Sequence, residues 1–119
     1  MNYQTIDAPN LLNHFSGDEE ILLEMIDIFN QGLAELLSNL RDSIEVQDAN
    51  QLRITAHTFK GVMKNFYAVQ SAALAFDLEG RGAKAQFDDA LKILNLLEDQ
   101  LTVFLYELQV LKTDLNKFR

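Results

Sequence analysis

Cysteine, tryptophan, proline and glycine are absent or scarce in this chain. Its 119 residues include no Cys, no Trp, one Pro and five Gly. The absence of Cys excludes a disulfide framework, a thiolate metal site and a thiol nucleophile. Because Pro and Gly supply most turn conformations, their shortage favours long helices that are joined by few loops.

Membrane and export signals are also missing. No apolar run approaches the roughly 18 residues of a membrane span, and the first ten residues have neither a basic start nor an apolar stretch. Ten basic and eighteen acidic residues give a net charge of −8, which disfavours general binding to nucleic acid or to anionic membranes. With 48% apolar and 24% charged residues, we expect one globular domain over residues 1–119, located in the cytoplasm.

Apolar residues recur at intervals of three and four along most of the chain, which is the period of an amphipathic helix. Two capping boxes, Ser16 with Glu19 and Asp48 with Gln51, mark helix starts. We predict an all-α fold, an antiparallel four-helix bundle with a short N-terminal helix and a core bundle over about 17–115. The four long helices are predicted over about 17–45, 49–66, 70–82 and 87–115.

One face of the second long helix gathers polar residues around a histidine. On a wheel of about 100° per residue, His57 lies opposite the apolar stripe that contains Phe59 and Met63, so it faces solvent. Three of the ten basic residues of the chain lie on its side of the helix. The residues within about 60° of His57 are Asn50, Arg53, Ile54, Lys60, Gly61, Lys64 and Ala68.

Gly61 follows His57 by one turn, inside a helix, where Gly costs about 0.5–1 kcal/mol relative to Ala. The missing side chain leaves room beside the imidazole, and Lys60 and Lys64 are spaced to meet an anion attached to the ring. Neutral imidazole is a nucleophile near neutral pH, and phosphoryl transfer requires chiefly positioning and charge neutralisation. The pattern therefore suits a histidine that carries a phosphoryl group. The alternative is a solvated helix face without a common role.

The segment Ala56-His57-Thr58-Phe59-Lys60-Gly61, followed by Asn65 and by Leu78-Glu79, resembles the histidine-containing phosphotransfer (HPt) domain of two-component phosphorelays. The pattern of that family is roughly His-x-Leu-Lys-Gly, then Asn-x-Gly-Ala, then Leu-Glu, and Tyr67 departs from it where Gly is usual. The resemblance implies that His57 is the phosphoacceptor, that Lys60 stabilises the phosphoryl oxygens and that Gly61 gives access. It also implies that Glu79, on the neighbouring helix, holds Nδ1–H and leaves Nε2 free to attack.

The resemblance implies partners as well. The phosphoryl group would pass between the receiver domains of a hybrid histidine kinase and a response regulator, and a receiver would supply the Mg²⁺, since we expect this chain to bind no cofactor or metal.

No glycine-rich nucleotide loop or kinase catalytic loop is present, so we expect no ATP-dependent kinase activity. Whether such an intermediate counts as an enzyme stays open. We expect a monomer whose receiver docks on Asn50, Arg53, Ile54, Lys64, Ala68 and, from the third long helix, Phe76.

Three alternatives stay open. The chain could be a pseudo-HPt or adaptor bundle that binds receiver domains without phosphotransfer, although the joint presence of His57, Lys60 and Gly61 argues against it. It could be an unrelated bundle that oligomerises through an apolar face. It could also be the phosphorylatable N-terminal domain of a kinase, although the start at Met1 favours a free-standing protein. His14, the other histidine, is assigned no role.

Overall fold

The computed structural model describes residues 2–117, which form five helices with no strand among them. The all-α class is therefore confirmed, and the ends of the long helices differ from the predicted ones by at most three residues. The helices are α1 (Ala8–His14), α2 (Glu19–Glu45), α3 (Ala49–Asn65), α4 (Val69–Ala83) and α5 (Ala90–Asn116).

The four long helices enclose one apolar core. Helix α2 contacts α3 and α5, and α4 contacts the same two helices, so each long helix has two neighbours. Three buried rings, those of Phe29, Phe66 and Phe104, meet edge to face at centroid distances of 5.4 to 5.6 Å, an arrangement that aromatic pairs favour. Within residues 2–117, no helix is both apolar and long enough for a membrane crossing.

The segment before α1 is attached to the bundle through a buried carboxylate. Glu107 of α5 accepts hydrogen bonds from the backbone N–H groups of Gln4 and Thr5, at 2.6 and 2.8 Å, and from the Thr5 hydroxyl. The backbone N–H of Asp7 donates to the carbonyl of Tyr67 at 2.9 Å. The N-terminal segment therefore links α5 to the connection between α3 and α4.

The two predicted capping boxes have different outcomes. Asp48 caps α3 by accepting from the backbone N–H of Gln51 at 3.0 Å, although the Gln51 side chain bonds within α3 instead of closing the box. The box at Ser16 is wrong, because Asp18 is the residue that precedes α2 and the Glu19 side chain accepts from the backbone N–H of Gly17, at 3.2 Å, instead of that of Ser16. After α1 the chain forms a backbone turn, in which the N–H of Asp18 donates to the carbonyl of Phe15 at 2.7 Å. Helix α2 therefore begins at Glu19, two residues later than predicted.

Three helix ends turn through a left-handed residue that is not glycine. Gln47, Tyr67 and Ala85 have φ of 57°, 56° and 52°. After α3, the N–H groups of Tyr67 and Ala68 donate to two carbonyls in the last helical turn, at 3.0 and 2.9 Å, which is the Schellman arrangement. At Tyr67 the chain therefore adopts the left-handed conformation that glycine usually supplies at a helix end. For a residue with a side chain, this conformation costs about 1–2 kcal/mol.

Helices α3 and α4 cross closely because of one glycine. A Cβ atom on the buried Gly82 would lie 2.5 Å from the backbone nitrogen of Arg53 and 2.9 Å from the carbonyl oxygen of Ala49. The last turn of α4 therefore rests directly on the first turn of α3. Together with the short connection 66–68, this crossing sets the spacing of the two helices that carry the candidate site.

Candidate functional site

His57 lies on α3 with 67% of its side chain exposed, while Phe59 and Met63 on the opposite side of the helix are fully buried. The apolar stripe of α3 packs into the core because its residues recur at helical spacing. The exposed imidazole is therefore accessible to a partner.

Glu79 of α4 contacts this imidazole directly. Its Oε2 atom lies 2.8 Å from His57 Nδ1. An ionised carboxylate only accepts hydrogen bonds, so Nδ1 carries the hydrogen and the neutral ring presents its lone pair at Nε2. The contact thus selects the tautomer whose exposed nitrogen is a nucleophile.

Lys60 binds the other oxygen of the same carboxylate. Its Nζ atom lies 2.6 Å from Glu79 Oε1, and both side chains are partly buried near the surface, with 17% and 19% exposed. The hydrogen bond from Lys60 is the main cause that lowers the pKa of Glu79; it is opposed by burial and assisted by the contact with His57. The carboxylate is therefore ionised near neutral pH and bridges the lysine and the histidine.

Gly61 and Lys64 lie on the exposed side of α3. A Cβ atom built on Gly61 meets no atom within 4 Å, so the space beside it is open and no neighbouring helix requires a glycine there. Lys64 is exposed and forms no ion pair within residues 2–117. Its ammonium group is available to an anion.

The predicted docking residues are mostly exposed. The Arg53 guanidinium donates to the Asn50 amide oxygen at 2.9 Å, and Ile54 and Phe76 are 46% and 62% exposed. The placement of Ala68 is wrong, since it is fully buried. The helical wheel does not extend to it, because α3 ends at Asn65 and the chain has turned before it reaches Ala68.

An apolar groove of about 380 Å³ lies between α3 and α4 and is lined in part by Lys60 and Lys64. The sequence reasoning missed Val69, which lines this groove and is strongly exposed. Val69 and Phe76 are seven residues apart and therefore share one face of α4. This spacing could have identified Val69 from the sequence. The other residues that line the groove include Tyr67, Ala72 and Ala73.

Comparisons with known proteins identify the family and the fold of the chain. The family model for the Hpt domain matches residues 24–114, which is most of the chain. A solved structure, histidine-containing phosphotransfer protein B from Pseudomonas aeruginosa PAO1, has the same fold with a TM-score of 0.85. The two chains are 24% identical over 99% of this chain and 100% of that one. A comparison with curated proteins finds no match.

The fold and the family match define a phosphotransfer module. The chain belongs to the Hpt domain family. Its function is histidine phosphotransfer in a two-component phosphorelay, in which Hpt proteins interact with receiver domains.

Proposed function

We propose that His57 is the residue that carries the phosphoryl group between receiver-domain aspartates. The observation that supports this most directly is the 2.8 Å contact between Nδ1 and Glu79 on an imidazole that is otherwise exposed. In the transfer, Nε2 attacks the phosphorus of an aspartyl phosphate, the N–P bond forms, and the aspartate carboxylate leaves with the electrons of the broken P–O bond. The second transfer reverses these steps toward another aspartate.

Glu79 has two effects in this step. It holds the tautomer that exposes the Nε2 lone pair, and it stabilises the positive charge that the ring acquires as the N–P bond forms. A bare carboxylate would also repel the incoming phosphoryl group, and Lys60, at 2.6 Å from Glu79, offsets that charge. In this proposal Lys60 and Lys64 stabilise the phosphoryl oxygens, and Gly61 keeps the approach to the ring open.

The same proposal covers the direction of the helices, the extent of the domain, the partners, and the location and oligomeric state of the protein. The three connections between the long helices, 46–48, 66–68 and 84–89, are short, which favours an antiparallel bundle built as one domain over residues 1–119. The partners are the receiver domains of a hybrid histidine kinase and a response regulator, and Mg²⁺ is bound by the receiver. The protein acts as a cytoplasmic monomer.

The receiver docks on the face of α3 and α4 that surrounds His57. Asn50, Arg53, Ile54 and Lys64 contribute from α3, and Phe76 contributes from α4. Apolar side chains at the centre and charges at the rim suit a partner that must leave after each transfer. Ala68 has no part in this surface, because it is buried.

Labelling from a panel of phosphorylated receiver domains tests the assignment. We expect the wild-type protein to gain an acid-labile, base-stable label and His57→Gln to gain none, with an unchanged melting temperature because the side chain is exposed. His14→Gln is the matched control and should label normally, although it loses a 2.9 Å contact between Nδ1 and the Tyr67 hydroxyl. Normal labelling of His57→Gln would refute the site, and receiver binding without any label would favour the adaptor alternative.

A further inference from the structure

Phe76 places an aromatic ring against the ammonium group of Lys60. The ring precedes Glu79 by three residues on α4, so the two side chains lie on neighbouring positions of one helix face. The Lys60 Nζ atom lies over the ring, 5.0 Å from its centroid. A cation within about 6 Å of a ring centroid is attracted by the negative face of the ring.

The ammonium group therefore has two contacts, the Phe76 ring and the Glu79 carboxylate. A lysine on a helix surface ordinarily extends its flexible stem so that the charge stays in water. Lys60 is only 17% exposed, whereas the Phe76 ring that faces it is largely exposed. A ring so exposed contributes little to the core, so burial in the core does not explain its position.

We propose that Phe76 is a positioning residue: its ring holds Lys60 on Glu79, and through Glu79 it sets the orientation of the His57 imidazole. The steps are the ring contact at 5.0 Å, the hydrogen bond from Lys60 at 2.6 Å and the contact with Nδ1 at 2.8 Å. Only the expected effect on phosphotransfer rests on His57 being the phosphoacceptor. The positioning itself is a property of the free protein.

The role requires the face of an aromatic ring and not merely an apolar side chain. Leucine fills a similar space but has no ring quadrupole, whereas tryptophan keeps an aromatic face and binds cations best. Phe76→Leu should therefore release Lys60, and Phe76→Trp should retain it. Val69→Ala is the matched control, since Val69 is an exposed apolar residue on the same face of α4 and has no ring.

The test uses the free protein and NMR. The ¹⁵N shifts of the His57 ring report the tautomer, and the carboxyl ¹³C shift of Glu79 reports its titration. In Phe76→Leu we expect the Nδ1–H tautomer to lose population and Glu79 to titrate closer to an ordinary glutamate. Both signals should return to wild type in Phe76→Trp and stay unchanged in Val69→Ala.

A small donor separates positioning from docking. Phosphoramidate needs no receiver surface. Nε2 attacks its phosphorus, a new Nε2–P bond forms, and the P–N bond of the donor breaks, so that its protonated amino group leaves as ammonia. We expect Phe76→Leu to be labelled roughly two- to five-fold more slowly than wild type, the range of a cation–π contact at an exposed site, and Phe76→Trp to recover.

The results distinguish the positioning role of Phe76 from a role in docking and from the proposed function of His57. Wild-type NMR signals in a folded Phe76→Leu protein would overturn the proposal, even if transfer from a receiver fell, because Phe76 would then serve docking alone. Altered signals in a correctly folded Phe76→Trp protein would overturn it as well. If the signals change as expected but no receiver labels His57, the positioning role holds and the proposed function fails.

Discussion

Glu79 is the residue on which the geometry of the site depends, because its two oxygens join a lysine and a histidine from α3. The contact with Lys60 is the main cause that holds the pKa of Glu79 below its ordinary value. A carboxyl group whose pKa is lower in the folded state stabilises that state above its unfolded pKa, which is about 4.3 for glutamate. The contribution is lost as the pH falls through the lowered folded value.

The direction of this pH dependence can be tested by replacing one residue. We expect Glu79→Gln to lower the free energy of unfolding at pH 7 by about 0.5–1 kcal/mol, the upper range for a pair near the surface. The difference from wild type should persist at pH 5 and shrink as the pH falls below the unfolded value of about 4.3, as measured by urea unfolding at each pH. Glu35→Gln, an exposed glutamate of α2, is the control. A difference that grows as the pH falls would contradict the assignment.

At the scale of the helix, Gly82 decides how closely α3 and α4 approach. A Cβ atom there would lie 2.5 Å from the Arg53 backbone nitrogen, and backbone atoms cannot move aside as the end of a flexible side chain can. The site depends on this spacing, because His57 and Lys60 are on one helix and Glu79 is on the other.

We therefore expect replacement by alanine to have opposite effects on stability at the two glycines of α4. Gly82→Ala should destabilise the fold by about 1–3 kcal/mol through overpacking and weaken the contact between His57 and Glu79. Gly80→Ala meets open space inside the same helix and should stabilise the fold by about 0.5–1 kcal/mol. Thermal unfolding measures both effects, and the ¹⁵N shifts of His57 report the contact. Equal stability of the two variants would show that the crossing at Gly82 is not tight.

At the scale of the whole molecule, the four long helices place two surfaces apart. Helices α3 and α5 are not neighbouring helices within residues 2–117, since each lies between α2 and α4. The candidate docking face, with Arg53, Ile54 and Phe76, is on α3 and α4. Leu91 of α5 precedes Glu98 by seven residues and so shares its side of the helix, where Glu98 pairs with Arg41 of α2. This apolar residue is 44% exposed, close to the 46% of Ile54.

This arrangement supplies a matched pair for the docking surface. Ile54→Asp should weaken binding of an unphosphorylated receiver by about tenfold or more, because it places a charge at the apolar centre of the interface. Leu91→Asp should leave the affinity unchanged, and both proteins should fold, since both side chains are partly exposed. Isothermal titration measures the affinities, and NMR shift mapping locates the surface. Shifts concentrated on α5, with residues 50–64 unaffected, would refute the docking face.

Local patterns in the sequence were sufficient to predict much of this protein. Apolar spacing predicted four long helices and the exposure of His57, and Asp48 marked the start of α3. These features depend on residues within a few turns of each other, and a helical period is a local property. The scarcity of glycine correctly indicated long helices, but it did not show that Gln47, Tyr67 and Ala85 would adopt the left-handed turns.

The tertiary structure decided the features that join separate helices. The contact of Glu79 with His57 was implied by the family resemblance alone, since a wheel drawn for α3 has no information about α4. The close approach at Gly82 and the ring of Phe76 on Lys60 likewise depend on how two helices pack. Ala68 was misplaced because the wheel assumed that α3 continues, whereas the chain turns at Tyr67 and buries the next residue. Spacing along one helix determines its faces, and only packing determines what those faces meet.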